Sequence, residues 1–133
     1  MDTRPIGVFD SGMGGLTAVR QMIRLLPGED IVYFGDTGRV PYGGRSVETI
    51  VRYARQDVAF LRSCDLKAIV IACGTVSTTA LHLLKSENTI PILGVVQPAA
   101  NAAVRASKSG NIGIIGTKAT IRSGAYEASI RAL

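Results

Sequence analysis

Apolar residues in this chain come in short unbroken runs, separated by longer stretches where they recur every three or four positions. The runs are Ile6–Phe9, Ile31–Phe34, Ala68–Ala72, Ile92–Val96 and Ile112–Ile115. Most lack polar alternation, which is the pattern of strands buried on both faces of a parallel sheet. The periodic stretches are Leu16–Leu26, Val47–Arg62, Val76–Lys85, Pro98–Ser107 and Thr120 to the end, and they predict helices. Pro98 suits the first turn of its helix, where its missing N–H would have no intrahelical partner. Alternation of the two kinds predicts right-handed βαβ units. The expected fold class is α/β, a parallel-sheet, flavodoxin-like βαβ domain. No repeat, linker or low-complexity segment breaks the pattern.

Ligands of such sheets bind beyond the carboxyl ends of the strands, and here every predicted strand hands over to polar residues. The first is followed by Asp10-Ser11, the second by the loop from Gly35 to Gly44, and the third by Cys73-Gly74-Thr75. The fourth leads to Gln97-Pro98 and the fifth to Gly116-Thr117, with Thr120 one turn on. Each loop alone is ordinary turn and cap chemistry. All five on one rim predict a small-anion site. The opening turn, Asp10-Ser11-Gly12-Met13-Gly14-Gly15, is the most informative. Its glycines permit tight turning and expose N–H groups where a helix begins, a setting that suits anions.

Cys73 is the sharpest single residue. A buried thiol is commonly inert packing. This one ends a strand and precedes a helix expected to start near Thr75, a place that favours the thiolate and makes sulfur a usable base or nucleophile. Cys64 sits in the polar run Arg62-Ser63-Cys64-Asp65 and is read as structural. His82 has no second His or Cys pair at ligand spacing, so no metal site is expected.

Composition narrows the classes. At 133 residues, the chain suits one domain that buries roughly two-thirds of its unfolded surface. Apolar content of 47% with 19% charged residues argues against disorder. The net charge of +5 comes from Lys and Arg spread along the chain, and only 5% of residues are aromatic, so nucleic acid is not an expected partner. Two cysteines fit free thiols in a reducing compartment. The apolar runs fall far short of the roughly 20 residues of a membrane helix. Met1–Pro5 leads straight into a strand rather than a signal peptide. A soluble, cytoplasmic protein is expected. Gly12-x-Gly14 with Asp36 closing the next strand partly matches a dinucleotide fingerprint, but Thr17 holds the third glycine position and Asp10 stands where pyrophosphate would approach. No Walker pattern is present.

Five motifs together resemble the glutamate racemases. They are Phe9-Asp10-Ser11-Gly12-x-Gly14-Gly15-Leu16-Thr17, Tyr33-Phe34-Gly35-Asp36-Thr37, Arg39-x-Pro41-Tyr42-Gly43, Ile71-Ala72-Cys73-x-Thr75 and Gly113-x-x-Gly116-Thr117-x-x-Thr120. The resemblance covers nearly the whole chain, in order. It implies cofactor-independent inversion of glutamate for peptidoglycan, in which one thiolate removes the α-proton and a second thiol on the opposite face returns one. Cys73 is then the base acting on the D-enantiomer, assisted by Asp10. Ser11, the Tyr42-Gly43 backbone, Gly74 and Thr75 become substrate ligands, with Thr117 and Thr120 as less central contacts to the carboxylates. Another superfamily member, such as an aspartate racemase or related decarboxylase, or a noncatalytic anion- or nucleotide-binding domain, is the alternative.

Two positions depart from that family's pattern: Gly74 replaces a usual Asn, and Gly38 a usual Ala. The resemblance also places the second catalytic Cys beyond residue 133, in proteins about twice this length built from two similar α/β domains. Residues 1–97 are accordingly expected to form the leading segment of the first domain and 98–133 the opening βα unit of the second. A chain with one thiol of two is expected to be inactive alone and, with interface exposed, to self-associate; a homodimer is the expected assembly.

Overall fold

A computed structural model describes residues 2–133. Four strands, β1 (Ile6–Asp10), β2 (Ile31–Gly35), β3 (Ala68–Ile71) and β4 (Ile92–Gly94), form one parallel sheet in the order β2-β1-β3-β4. Phe9 lies opposite Phe34 on one side and Ile71 on the other, so the three strands end almost level. The expected α/β class and parallel sheet are present.

Helix α1 (Leu16–Leu25) follows β1 and α2 (Val47–Arg62) follows the loop after β2. Ser46 caps α2, its hydroxyl accepting from the Thr49 N–H at 3.2 Å. Ile50, Ala54, Val58 and Leu61 recur at helical spacing along its buried face. They meet Phe9, Ile69 and Ile71 from the sheet and Val76 and Leu84 from the following helices, and this is the core.

Three differences from the expected elements have physical reasons. Ile112–Ile115 forms no strand: its backbone has no ladder partner among the described residues, and Ile115 is 99% exposed. An apolar run becomes a strand only where another strand pairs with it. The fourth strand stops at Gly94, and Val96 already opens α5 (Val96–Ala106), leaving Pro98 in the first turn as expected. The helix expected over Val76–Lys85 is two, α3 (Gly74–Thr79) and α4 (Leu81–Glu87), broken at Ala80. Hydroxyls account for the break, since Thr78 and Thr79 bond back to carbonyls of Gly74 and Thr75. Such bonds compete with the helical ladder and bend it.

The final helix likewise divides into α6 (Lys118–Ser123) and α7 (Ala125–Arg131), because Gly124 adopts φ +65°. That left-handed conformation suits glycine and ends α6. It begins at Lys118 rather than Thr120, capped by Thr117, whose Oγ1 accepts from the Thr120 N–H at 3.3 Å. α6 packs on α3, and α7 on α5.

Candidate active site

Because β1 and β3 are hydrogen-bonded neighbours, Asp10 and Cys73 emerge side by side at the carboxyl rim of the sheet. Asp10 is buried, and its Oδ2 accepts from the Gly15 N–H at 2.8 Å. Gly15 is demanded by closeness: a Cβ there would stand 2.7 Å from Asp10 Cβ and 3.0 Å from Ala72 Cβ. The turn is held from outside by Tyr33, whose hydroxyl donates to the Gly12 carbonyl at 2.8 Å. Burial, reinforced by the charge of Asp10, raises the Tyr33 pKa, so this phenol keeps its proton and stays a donor.

Cys73 is 5% exposed, and its Sγ donates to Ser11 Oγ at 3.3 Å. Its backbone is extended (φ −94°, ψ 119°) and caps α3, with its carbonyl accepting from the Ser77 N–H at 2.9 Å. Thr75, the second residue of α3, pairs its hydroxyl with that of Thr117 at 2.9 Å, and Thr117 pairs with Thr120 at 3.0 Å. Together these residues face a cavity of about 760 Å³, into which Asp10, Ser11, Cys73, Gly74 and Thr75 project from one side and Thr117 and Thr120 from the other. Ile114, Tyr126 and Ile130 add an apolar wall. An acid, a thiol and four hydroxyls around one space can hold a small, doubly anionic or zwitterionic molecule and move a proton at its carbon.

A protein-family model described as Asp/Glu/Hydantoin racemase matches residues 6–133. The chain belongs to this family. It is 48% identical over 131 residues, 98% of its length, to a glutamate racemase of Geobacter metallireducens, and covers 48% of that protein. A glutamate racemase isoform from Bacillus anthracis superposes with a TM-score of 0.95 at 45% identity, over 99% of this chain and 50% of that one. The Francisella tularensis glutamate racemase, solved in complex with D-glutamate, matches with a TM-score of 0.89 at 43% identity, over 99% of this chain and 49% of that one. The chain thus spans about half the length of the racemases it matches.

Of the residues read from the sequence, Tyr42 and Gly43 stand away from this racemase-family cavity. Tyr42 is 1% exposed, and its hydroxyl turns inward to Asp36 and to Asp57 Oδ2, the latter at 2.7 Å. Burial and both carboxylates hold its pKa far above the ordinary phenol range. Gly43 backs onto Thr117, where a Cβ would come within 2.5 Å of Thr117 Cβ. Cys64 is half-buried against the core and His82 is exposed, and neither lines the cavity. Among the described residues, no three His, Cys, Asp or Glu side chains group as for a metal, and no helix is long and apolar enough to cross a membrane.

One cluster escaped the sequence reading. Arg39 bridges Asp36 and Asp57, with Nε 2.6 Å from Asp36 Oδ2 and a terminal nitrogen 2.5 Å from Asp57 Oδ1. The signal was available: Asp57 lies on the apolar stripe of α2, three residues past Ala54 and four before Leu61. A carboxylate at that spacing has to be buried and therefore has to find partners.

Proposed function

We propose that the protein interconverts L- and D-glutamate without a cofactor, by proton transfer between two thiols, and supplies D-glutamate for peptidoglycan. The observation that carries the reading is the Cys73 thiol, bonded to Ser11 and lining one cavity with Asp10 and the hydroxyl residues Ser11, Thr75, Thr117 and Thr120. The relatives named glutamate racemase, one of them solved with D-glutamate, supply the substrate.

In this scheme the Cys73 thiolate takes the α-proton of D-glutamate. The electron pair left behind delocalises into the α-carboxylate, which Ser11, Thr75 and the amides of Gly74 and Thr75 stabilise. Asp10 accepts and returns the thiol's proton between turnovers, and a second thiol protonates the opposite face. Thr117 and Thr120 hold the side-chain carboxylate, while Tyr42 and Gly43 contribute through their backbone and through the seat they give Thr117. Gly74 leaves room, since a Cβ there meets nothing within 4 Å. The amino group of the substrate would occupy the space that an Asn amide would otherwise reach.

Of the two cysteines, Cys73 faces the cavity and Cys64 does not. We therefore propose that the 133-residue chain does not racemise glutamate alone, with residues 1–97 as the leading segment of one α/β domain and 98–133 the start of a second. A cytoplasmic homodimer is the working assembly we propose.

The test places the chain in deuterated water with D-glutamate, L-glutamate and then aspartate. The expected result is that D-glutamate slows alkylation of Cys73, followed by peptide mapping to separate it from Cys64, while optical rotation stays constant. Protection by aspartate and not glutamate would move the substrate to the other racemases of the family. Racemisation by the chain at an ordinary enzymatic rate would refute the two-thiol account.

A further inference from the structure

The buried cluster around Tyr42 is built from two separate pieces of chain. Asp36 follows β2, Arg39 and Tyr42 lie in the loop after it, and Asp57 reaches in from α2. Asp36, Tyr42 and Asp57 are each less than a tenth exposed. Arg39 also donates to Gln56 at 2.5 Å and stacks 4.4 Å above the ring of Tyr53, which Arg52 approaches at 5.5 Å from its ring centre. One phenolic proton and one guanidinium serve two carboxylates, so removal of any partner leaves a buried polar group of the cluster short of a hydrogen bond.

The cluster does not touch the cavity, yet the next residue along the chain does the locating. Gly43 presses on Thr117, and the Gly43 carbonyl accepts from the Ala119 N–H at 3.3 Å. Thr117 in turn carries the hydroxyl that meets Thr75. The path from Asp57 to the cavity is therefore short. Asp57 holds Tyr42, Tyr42 fixes Gly43, and Gly43 sets Thr117.

We propose that Asp57 is a positioning residue, which through the Tyr42 hydroxyl and Gly43 fixes where Thr117 and Thr75 stand and so governs how tightly the cavity holds its amino-dicarboxylate. For the ligand alone this rests on the glutamate reading. The placement of Thr117 does not, and the two can be separated by measuring both.

Amide exchange on the full chain gives the first readout. In Asp57→Ala the Ala119 amide, bonded to the Gly43 carbonyl, is expected to exchange about tenfold faster. The Ala72 amide, bonded to the Phe9 carbonyl at 2.8 Å between β3 and β1, is expected to hold its rate. The second readout is the D-glutamate concentration that half-protects Cys73 from alkylation, expected to rise about tenfold in Asp57→Ala. Asp57→Asn keeps a partner for the Tyr42 hydroxyl and is expected to return both readouts to within about threefold of the parent. Unchanged exchange at Ala119, or equal acceleration at Ala119 and Ala72, would overturn the proposal. Should Asp57→Ala fail to fold, Tyr42→Phe decides: faster exchange at Ala119 alone supports it, an unchanged rate sinks it. If D-glutamate never protects the parent protein, the substrate reading falls, and Ala119 exchange still decides the positioning role.

Discussion

Gly15→Ala sets two effects of opposite sign against each other at one atom. Gly15 has φ −63° and ψ −16°, an ordinary helical conformation that alanine also adopts. Restricting the unfolded chain would then stabilise the protein by about 0.4–1 kcal/mol. Against this, the new methyl would lie 2.7 Å from Asp10 Cβ, 3.2 Å from Asp10 Cγ and 3.0 Å from Ala72 Cβ, where carbon pairs prefer about 3.5–4.0 Å. Neither neighbour can swing aside, because each Cβ is fixed to backbone at the end of a central strand. Gly15 must retreat instead, stretching its 2.8 Å bond to the Asp10 carboxylate. Crowding of this kind costs about 1–3 kcal/mol, and weakening a bond to a charged group about 1.5–3 kcal/mol, partly recovered where water can enter.

The expected net loss is about 2–3 kcal/mol, a drop in urea midpoint of about 1–1.5 M for a chain of this size. Gly14→Ala is the control, because a Cβ there would sit 3.7 Å from Asp10 Oδ2, an ordinary contact. Its expected change stays within about 0.5 kcal/mol. Urea unfolding followed by circular dichroism measures both. Equal midpoints for Gly15→Ala and Gly14→Ala would refute the claim that Asp10 is wedged in place by the absence of a side chain.

Two further outcomes follow from buried polar groups. Ser77→Ala removes a hydroxyl that donates to the Ile71 carbonyl at 3.0 Å and accepts from the Val95 N–H at 3.3 Å. A loss of about 1–3 kcal/mol in urea unfolding is expected, and a change near zero would mean that water or repacking satisfies both groups. Burial, with the Asp36 charge adding to it, pushes the Asp57 carboxyl up from 3.8 to about 6, against the pull of Tyr42 and Arg39. Between those two values the folded state binds more protons than the unfolded one, so the Asp57 contribution to stability is full below the lower value and is lost as pH rises through about 6. Subtracting the stability–pH curve of Asp57→Asn from that of the parent should expose this fall, and a flat or rising difference would contradict it.

The layout of the site was legible because strand ends in a parallel sheet are forced onto one rim. Once β1 and β3 were placed by their apolar runs, Asp10, Ser11 and Cys73 had to lie on that rim, and the pairing of β1 with β3 then makes them neighbours. What could not be read depended on partners. Ile112–Ile115 has the composition of a strand, but pairing decides, and nothing among the described residues pairs with it. The break at Ala80 depended on hydroxyls turning back to their own helix, a choice that hydrophobic periodicity does not record. The family resemblance placed the Tyr42-Gly43 backbone near the substrate and said nothing of the phenol. That phenol answers the carboxylates of Asp36 and Asp57, the second buried on a helix 15 residues away in sequence.

An isoleucine left 99% in solvent beside unpaired backbone N–H and C=O groups has a practical corollary. Such a segment is a template on which another chain can lay itself down as a strand. Loss of dissolved protein on storage is then expected to quicken with concentration, and dilution should extend shelf life.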